Sequence, residues 1–141
     1  MTVIVKRPDL VDAPPVVHKL VHWLETTELP DGLFAADVFG DITLPQWRLQ
    51  AIGAEGTVAI RQGGHPWPGR LDRLRYDPTP TGFVLEFEEV WEAGGEHWYC
   101  RELSRADVRD GAISELSVYC TGDWDSAQVA RHRAEVTLLR P

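Results

Sequence analysis

Carboxylates and thiols carry most of the chemistry this sequence can offer. Glu86 and Glu88 fall in one strand-like run, 82–92, and Glu102 in the next, 96–107, with Ala93-Gly94-Gly95 between them. If Glu92 pairs with Glu96 across that loop, Glu88 lies beside Cys100 and Glu86 beside Glu102, since antiparallel partners move in opposite directions along the chain. A second loop, Val108-Arg109-Asp110-Gly111-Ala112, fits a type I turn with Gly111 left-handed. It pairs Val108 with Ala112, which sets Glu102 opposite Val118 and Cys100 opposite Cys120. One sheet face then collects Glu86, Glu88, Val90, Trp98, Cys100, Glu102, Leu116, Val118 and Cys120, and the other Phe83, Leu85, Phe87, Trp91, Tyr99, Arg101, Leu103 and Tyr119. Three carboxyls on a partly apolar wall cannot all stay ionised without a cation, so at least one is expected to hold its proton. A protonated and an ionised carboxyl side by side are the equipment of general acid and base catalysis near neutral pH. The alternative is a register displaced by one residue, which leaves the same glutamates solvating an outer face.

Other candidates are weaker. Cys100 and Cys120 are read as buried small side chains, because no further ligands are spaced to complete a metal site with them. His18 and His22 stand four apart on a helix without an accompanying ligand motif, and Arg101 next to Tyr119 reads as an anion clamp or as an interface pair, the second favoured by the register that gathers the glutamates. No glycine-rich phosphate loop or nucleotide fingerprint occurs, so no cofactor and no metal are expected.

The elements that must position these residues follow from periodicity. After an extended arm ending near Pro14-Pro15, Val16, Val17, Leu20, Val21 and Leu24 share one helical stripe. A short helical piece is expected around Gly32 to Ala36, two strands between Val38 and Ile52 turning at Leu44-Pro45, and a helix from Ala54 to Gln62 ending at Gly63-Gly64. Strand-like runs at 70–76, 82–92, 96–107 and 112–120 form a meander, and a last helix is expected over 124–135, with 136–139 an apolar tail. Helices first and a sheet after make an α+β chain, and 141 residues suit a single domain, 1–141. With 22 acidic against 14 basic residues and a net charge of −8, a nucleic-acid partner is not expected. No apolar run approaches the roughly 20 residues of a membrane helix, and the opening residues lack a signal-peptide core, so a cytoplasmic location is expected.

The succession of helix, Leu33-Phe-Ala-Ala-Asp-Val-Phe-Gly-Asp41, strand pair, helix ending near Gly63, and meander closing on Asp110-Gly-Ala-Ile-Ser-Glu-Leu116 resembles the nuclear transport factor 2-like superfamily over roughly residues 15 to 122. Its nearest likeness is to the branch of SnoaL-like polyketide cyclases, limonene epoxide hydrolase and ketosteroid isomerase. The resemblance implies a cone, in which a curved antiparallel sheet wraps around the N-terminal helices and leaves an apolar cavity. It also implies a homodimer formed through the outer face. In limonene epoxide hydrolase the strand before the last hairpin supplies an Arg and an Asp two residues apart, and Glu86 and Glu88 stand at the similar places. The hydrolase's further Asp corresponds to Val118, so its triad is absent. The general base of ketosteroid isomerase falls on Asp41 or on the neighbouring Ile42. Trp47, Trp67 and Trp98 would stack on a ligand at the cavity mouth, and Cys100, Leu116, Val118 and Cys120 would shape the pocket. The implied activity is a cofactor-independent cyclase, isomerase or hydrolase acting on a small hydrophobic, polyketide-like molecule. A non-catalytic binding or dimeric interaction module on the same fold is the alternative.

Overall fold

The computed structural model describes residue 4 and residues 7–141; the opening residues on which the signal-peptide reading partly rests lie outside that range. After a single 3₁₀ turn, Pro8–Leu10, the order is α1 (Pro15–Thr26), β1 (Phe34–Thr43), β2 (Arg48–Ile52), α2 (Ala54–Gly64), β3 (Gly69–Pro78), β4 (Gly82–Ala93), β5 (Glu96–Arg109), β6 (Ala112–Cys120) and α3 (Ser126–Glu135). The strands form one sheet in the order β2-β1-β6-β5-β4-β3. It is mixed: four neighbouring pairs are antiparallel, and β1 runs parallel to β6. The expected antiparallel sheet holds for four of these pairs, and the parallel seam arises because β1 finds its second neighbour only at the end of the meander.

Pro15 starts α1 where its missing N–H costs no hydrogen bond. The helix buries Val16, Val17, Leu20, Val21, Trp23 and Leu24 against Phe83, Leu85 and Phe87 of β4. Thr27, left-handed at φ 67°, ends the helix with its N–H bonded to the Trp23 carbonyl. The helical piece expected at 32–36 is instead a turn leading into β1. Gly32 is left-handed, Leu33 accepts a bond from the Ile113 N–H, and Phe34 pairs with Ile113. Here long-range strand pairing overrides a local helical pattern.

α1 packs on β3, and α2 packs on β1 and β2, so the two helices stand at opposite sides of the same sheet face. The approach of α2 depends on Gly40: a Cβ there would lie 2.8 Å from Thr57 Oγ1. α3 begins two residues later than expected, where the Asp125 carboxylate accepts from the Gln128 N–H, and residues 136–141 are exposed.

Both hairpin loops are shorter than the sequence suggested. Ala93 pairs with Glu96 around Gly94-Gly95, and Arg109 pairs with Ala112 around Asp110-Gly111; all four loop residues have positive φ. That is the type I′ geometry matched to strand twist. The consequences differ. Between β4 and β5 the register moves by one residue, which turns every β4 side chain to the opposite face. Between β5 and β6 a bulge beyond Asp107 adds to the shorter loop and moves the register by two, so the faces are kept while the partners change: Glu102 stands opposite Cys120, and Ser104 opposite Val118.

Candidate functional site

The interior face of β4 is Phe83, Leu85, Phe87, Glu89 and Trp91, all buried. Glu89 is the one acid in that row and is 1% exposed. It pairs across the strands with Cys100, and Phe87 pairs with Glu102. Together with Leu116, Val118 and Cys120 of β6, Asp123, and the inner sides of α1 and α2, these residues enclose a cavity of about 190 Å³. From α2 come Thr57, Ile60, Arg61 and Gly64, the helical spacing of one stripe, followed by His65.

Arg61 governs the electrostatics. Its Nη2 donates to Glu89 Oε2 at 2.6 Å and to the Leu24 carbonyl at 3.0 Å, and its guanidinium lies over the Trp23 ring at 5.7 Å. Burial raises the Glu89 pKa, and Arg61 pulls against that rise, so the carboxylate keeps a compensating charge. Among the described residues Glu102 has no such partner. Burial, then the neighbouring Glu89 charge, push its pKa well above the usual carboxylate range. Glu102 thereby holds the proton and donates it in a hydrogen bond to Glu89. A carboxyl kept neutral beside one kept ionised is the division of labour that general acid and base chemistry requires.

His65 Nδ1 lies 3.5 Å from Glu89 Oε1, and its ring packs on Trp91 at 4.2 Å. Burial, helped by the charge of Arg61, lowers its pKa to about 3, so the imidazole is neutral. The Cys120 thiol is pulled down by hydrogen bonds from Cys100 and from the Gly122 N–H, 3.3 Å away, while Cys100 is pushed up as the donor of that pair. Cys100, Glu102 and Cys120 each offer one donor atom within 4.8 Å of the others, so one of the two further ligands that a metal would want stands beside the cysteines. Three donors are one short of a closed tetrahedral set.

Not every residue singled out in the sequence reaches this cavity. Glu102, Cys100, Leu116, Val118 and Cys120 do. Glu86 and Glu88 do not: the one-residue shift of β4 turns them to the outer face, where Glu86 lies 3.6 Å from Arg101, and Glu88 accepts from the Tyr99 hydroxyl and pairs with Arg73. Val90 turns outward with them. Asp41 is also on the outer face, in an ion pair with Arg48 that holds its pKa low. Trp47 is 68% exposed in the β1–β2 turn, Trp67 is exposed beside His65, and Trp98 bonds the Ala93 carbonyl beyond the end of the cavity. Arg61, His65, Glu89 and Asp123 were missed. For two of them a signal existed: Arg61 lies in the inward stripe of α2, and Glu89 interrupts an apolar row of period two.

No family model matches the sequence, and no curated protein resembles it at a significant level. Solved structures do resemble it. A hypothetical protein with a ketosteroid isomerase-like fold from Catenulispora acidiphila, solved in complex with trimethylamine, is 13% identical over 83% of this chain and 93% of its own, with a TM-score of 0.63. A nuclear transport factor 2-like protein from Anabaena variabilis is 18% identical over 86% of this chain and 97% of its own, with a TM-score of 0.62. A protein from Pseudomonas putida, provisionally named a polyketide cyclase, is 14% identical over 82% and 93%, with a TM-score of 0.60. Such overlap at such low identity reports backbone architecture. The helices α1 and α2 on one face of a six-stranded sheet, with a cavity between them and the sheet, give this chain the nuclear transport factor 2-like fold.

Proposed function

We propose that the cavity binds a small, largely apolar molecule and moves protons on it, as a cofactor-independent isomerase or cyclase does. The observation that carries this reading is the pairing of Glu89 and Glu102 in an apolar cavity in which, among the described residues, the one guanidinium is bound by Glu89. In this scheme Glu89, held ionised by Arg61, takes a proton from a carbon next to a carbonyl, and Glu102 gives its proton to the carbonyl oxygen. The volume of about 190 Å³ lies below the roughly 300–1,000 Å³ of pockets for drug-sized ligands, which favours one ring or a short chain over a fused polycycle. The outer-face glutamates and Asp41, expected in the sequence to act here, have no part in it.

A reaction-independent test is deuterium exchange at the α-carbons of cyclohexanone-type probes, followed by proton NMR. Exchange should be catalysed by the protein and fall by about two orders of magnitude or more in Glu102→Gln. Equal exchange in the parent and the variant would overturn the scheme. A second reading is a binding module without catalysis. It is favoured by the contacts of Glu89, whose two oxygens are both taken up by Arg61, as a structural anchor's would be. Under that reading Glu89→Gln changes stability and leaves ligand affinity intact.

The proposal extends to a homodimer of a single-domain chain. Ile52, Leu103 and Tyr119 are exposed on the outer face, where a second copy would cover them. Sedimentation showing only monomer at micromolar concentration would remove that part.

A further inference from the structure

Acidic side chains outnumber basic ones among the described residues that line the cavity. Three carboxyl side chains line it, Glu89, Glu102 and Asp123, against one guanidinium, Arg61. Glu89 takes up Arg61, and His65 is neutral. Among the described residues neither Glu102 nor Asp123 forms an ion pair. Both lie next to Cys120, whose thiol feels the charge of Asp123 and a hydrogen bond with Glu102.

The walls around these carboxyls are aromatic and aliphatic: Trp23, Phe87 and Trp91 are all at least nine-tenths buried. Thr57, 2% exposed, also lines the cavity, and its hydroxyl has no partner in the protein. A hydroxyl oxygen and two carboxylates are acceptors for N–H groups. Electron-rich ring faces attract a cation that has shed its water. An apolar guest would leave the Thr57 hydroxyl and the Asp123 carboxyl without a partner, and a bare metal ion would leave the apolar walls unused.

We propose that the ligand class of this cavity is a small protonated amine with an apolar body. Its ammonium is received by Glu102 and Asp123, with Thr57 as a further acceptor, and its hydrocarbon part lies against Trp23, Phe87 and Trp91. When the ammonium enters, Glu102 releases its proton to solvent and faces the guest as a carboxylate. The inference rests on the reading that this cavity is the ligand site, and is independent of whether proton transfer is catalysed there.

Isothermal titration calorimetry with cyclohexylammonium and its neutral counterpart cyclohexanol, at pH 7.5 and low salt, tests it. The amine should bind at least about tenfold more tightly than the alcohol. Glu102→Gln should lose about tenfold or more in amine affinity and much less in cyclohexanol affinity. Asp123→Asn, at the exposed mouth where folding is not at stake, should lose about threefold. Equal affinity for the two probes, or amine affinity indifferent to both variants, would overturn the amine inference and leave the cavity as a ligand site. Binding of neither probe would overturn both.

Discussion

The two faces of β4 carry the same residue type to opposite ends. Glu86 and Glu88 project outward, where Arg101, Arg73 and the Tyr99 hydroxyl meet them at the solvent boundary. Glu89, one residue further on, projects inward, where burial allows it a charge only because Arg61 donates to it. Surface pairs of this kind contribute little, since water and ions screen them. A buried pair contributes little net stability as a pair, but removal of one member exposes the full desolvation cost of the other. What separates the faces is therefore how much a single missing partner costs, and the largest effects should all lie inside.

Arg61→Met is expected to have the largest effect. At pH 8 it should cost about 3–5 kcal/mol in urea unfolding, because buried Glu89 loses the guanidinium that pairs with it. At pH 5 the cost should be smaller, as Glu89 can take up a proton instead. Equal losses at both pH values would mean that Arg61 acts through packing on Trp23 and the bond to the Leu24 carbonyl. Next comes the helix that carries Arg61. Gly40→Ala should cost about 1–3 kcal/mol, since its Cβ would press on buried Thr57 and push α2 from the sheet. A variant as stable as the parent would show that α2 is seated elsewhere.

The pH dependence of stability should also divide by face. Glu102 has a folded pKa raised far above its unfolded value, so the folded state binds more protons. Its contribution is present at low pH and is lost as pH rises from the unfolded value toward the raised one. Asp41 on the outer face runs the other way. Arg48 depresses its folded pKa, and its contribution is lost as pH falls through that depressed value. His65 joins Asp41 in sign: its pKa falls from 6.5 to about 3 on folding, so stability declines as pH drops between those values. Glu102→Gln should thus flatten the loss of stability on the alkaline side of pH 4.5 and leave the acid limb as it was. An unchanged alkaline limb would place the proton on another group. The smallest effect belongs to the outer face: Glu86→Gln should shift stability by no more than about 0.5 kcal/mol and leave α-proton exchange untouched. A larger loss of exchange would return Glu86 to the chemistry.

Much of the architecture was legible because it is local. The stripe of Val16, Val17, Leu20, Val21 and Leu24, the break at Leu44-Pro45, and the glycines at 63–64, 94–95 and 111 mark elements with their own periodicity or turn chemistry. The site was half legible. On β5 and β6 the inward residues Cys100, Glu102, Leu116, Val118 and Cys120 were placed on the right face, because their register is off by two. On β4 an error of one exchanged Glu89 for Glu86 and Glu88. Both loops are one residue shorter than the turn residues suggest, and the bulge beyond Asp107 separates those outcomes. The apolar row Phe83, Leu85, Phe87 and Trp91 carried enough information to settle the matter against the loop.

By itself, the sequence determined the kinds of element, their order, and the presence of acids among apolar neighbours, since these depend on residues near one another along the chain. Only the tertiary structure decided which acid is inside. That choice depends on a guanidinium 28 positions away on α2 and on strand partners chosen across the sheet, contacts that no local period encodes. Burial then sets the chemistry. The same carboxyl that is a solvated anion on one side of a strand becomes a paired charge or a held proton on the other, because low-dielectric surroundings demand a partner for every charge.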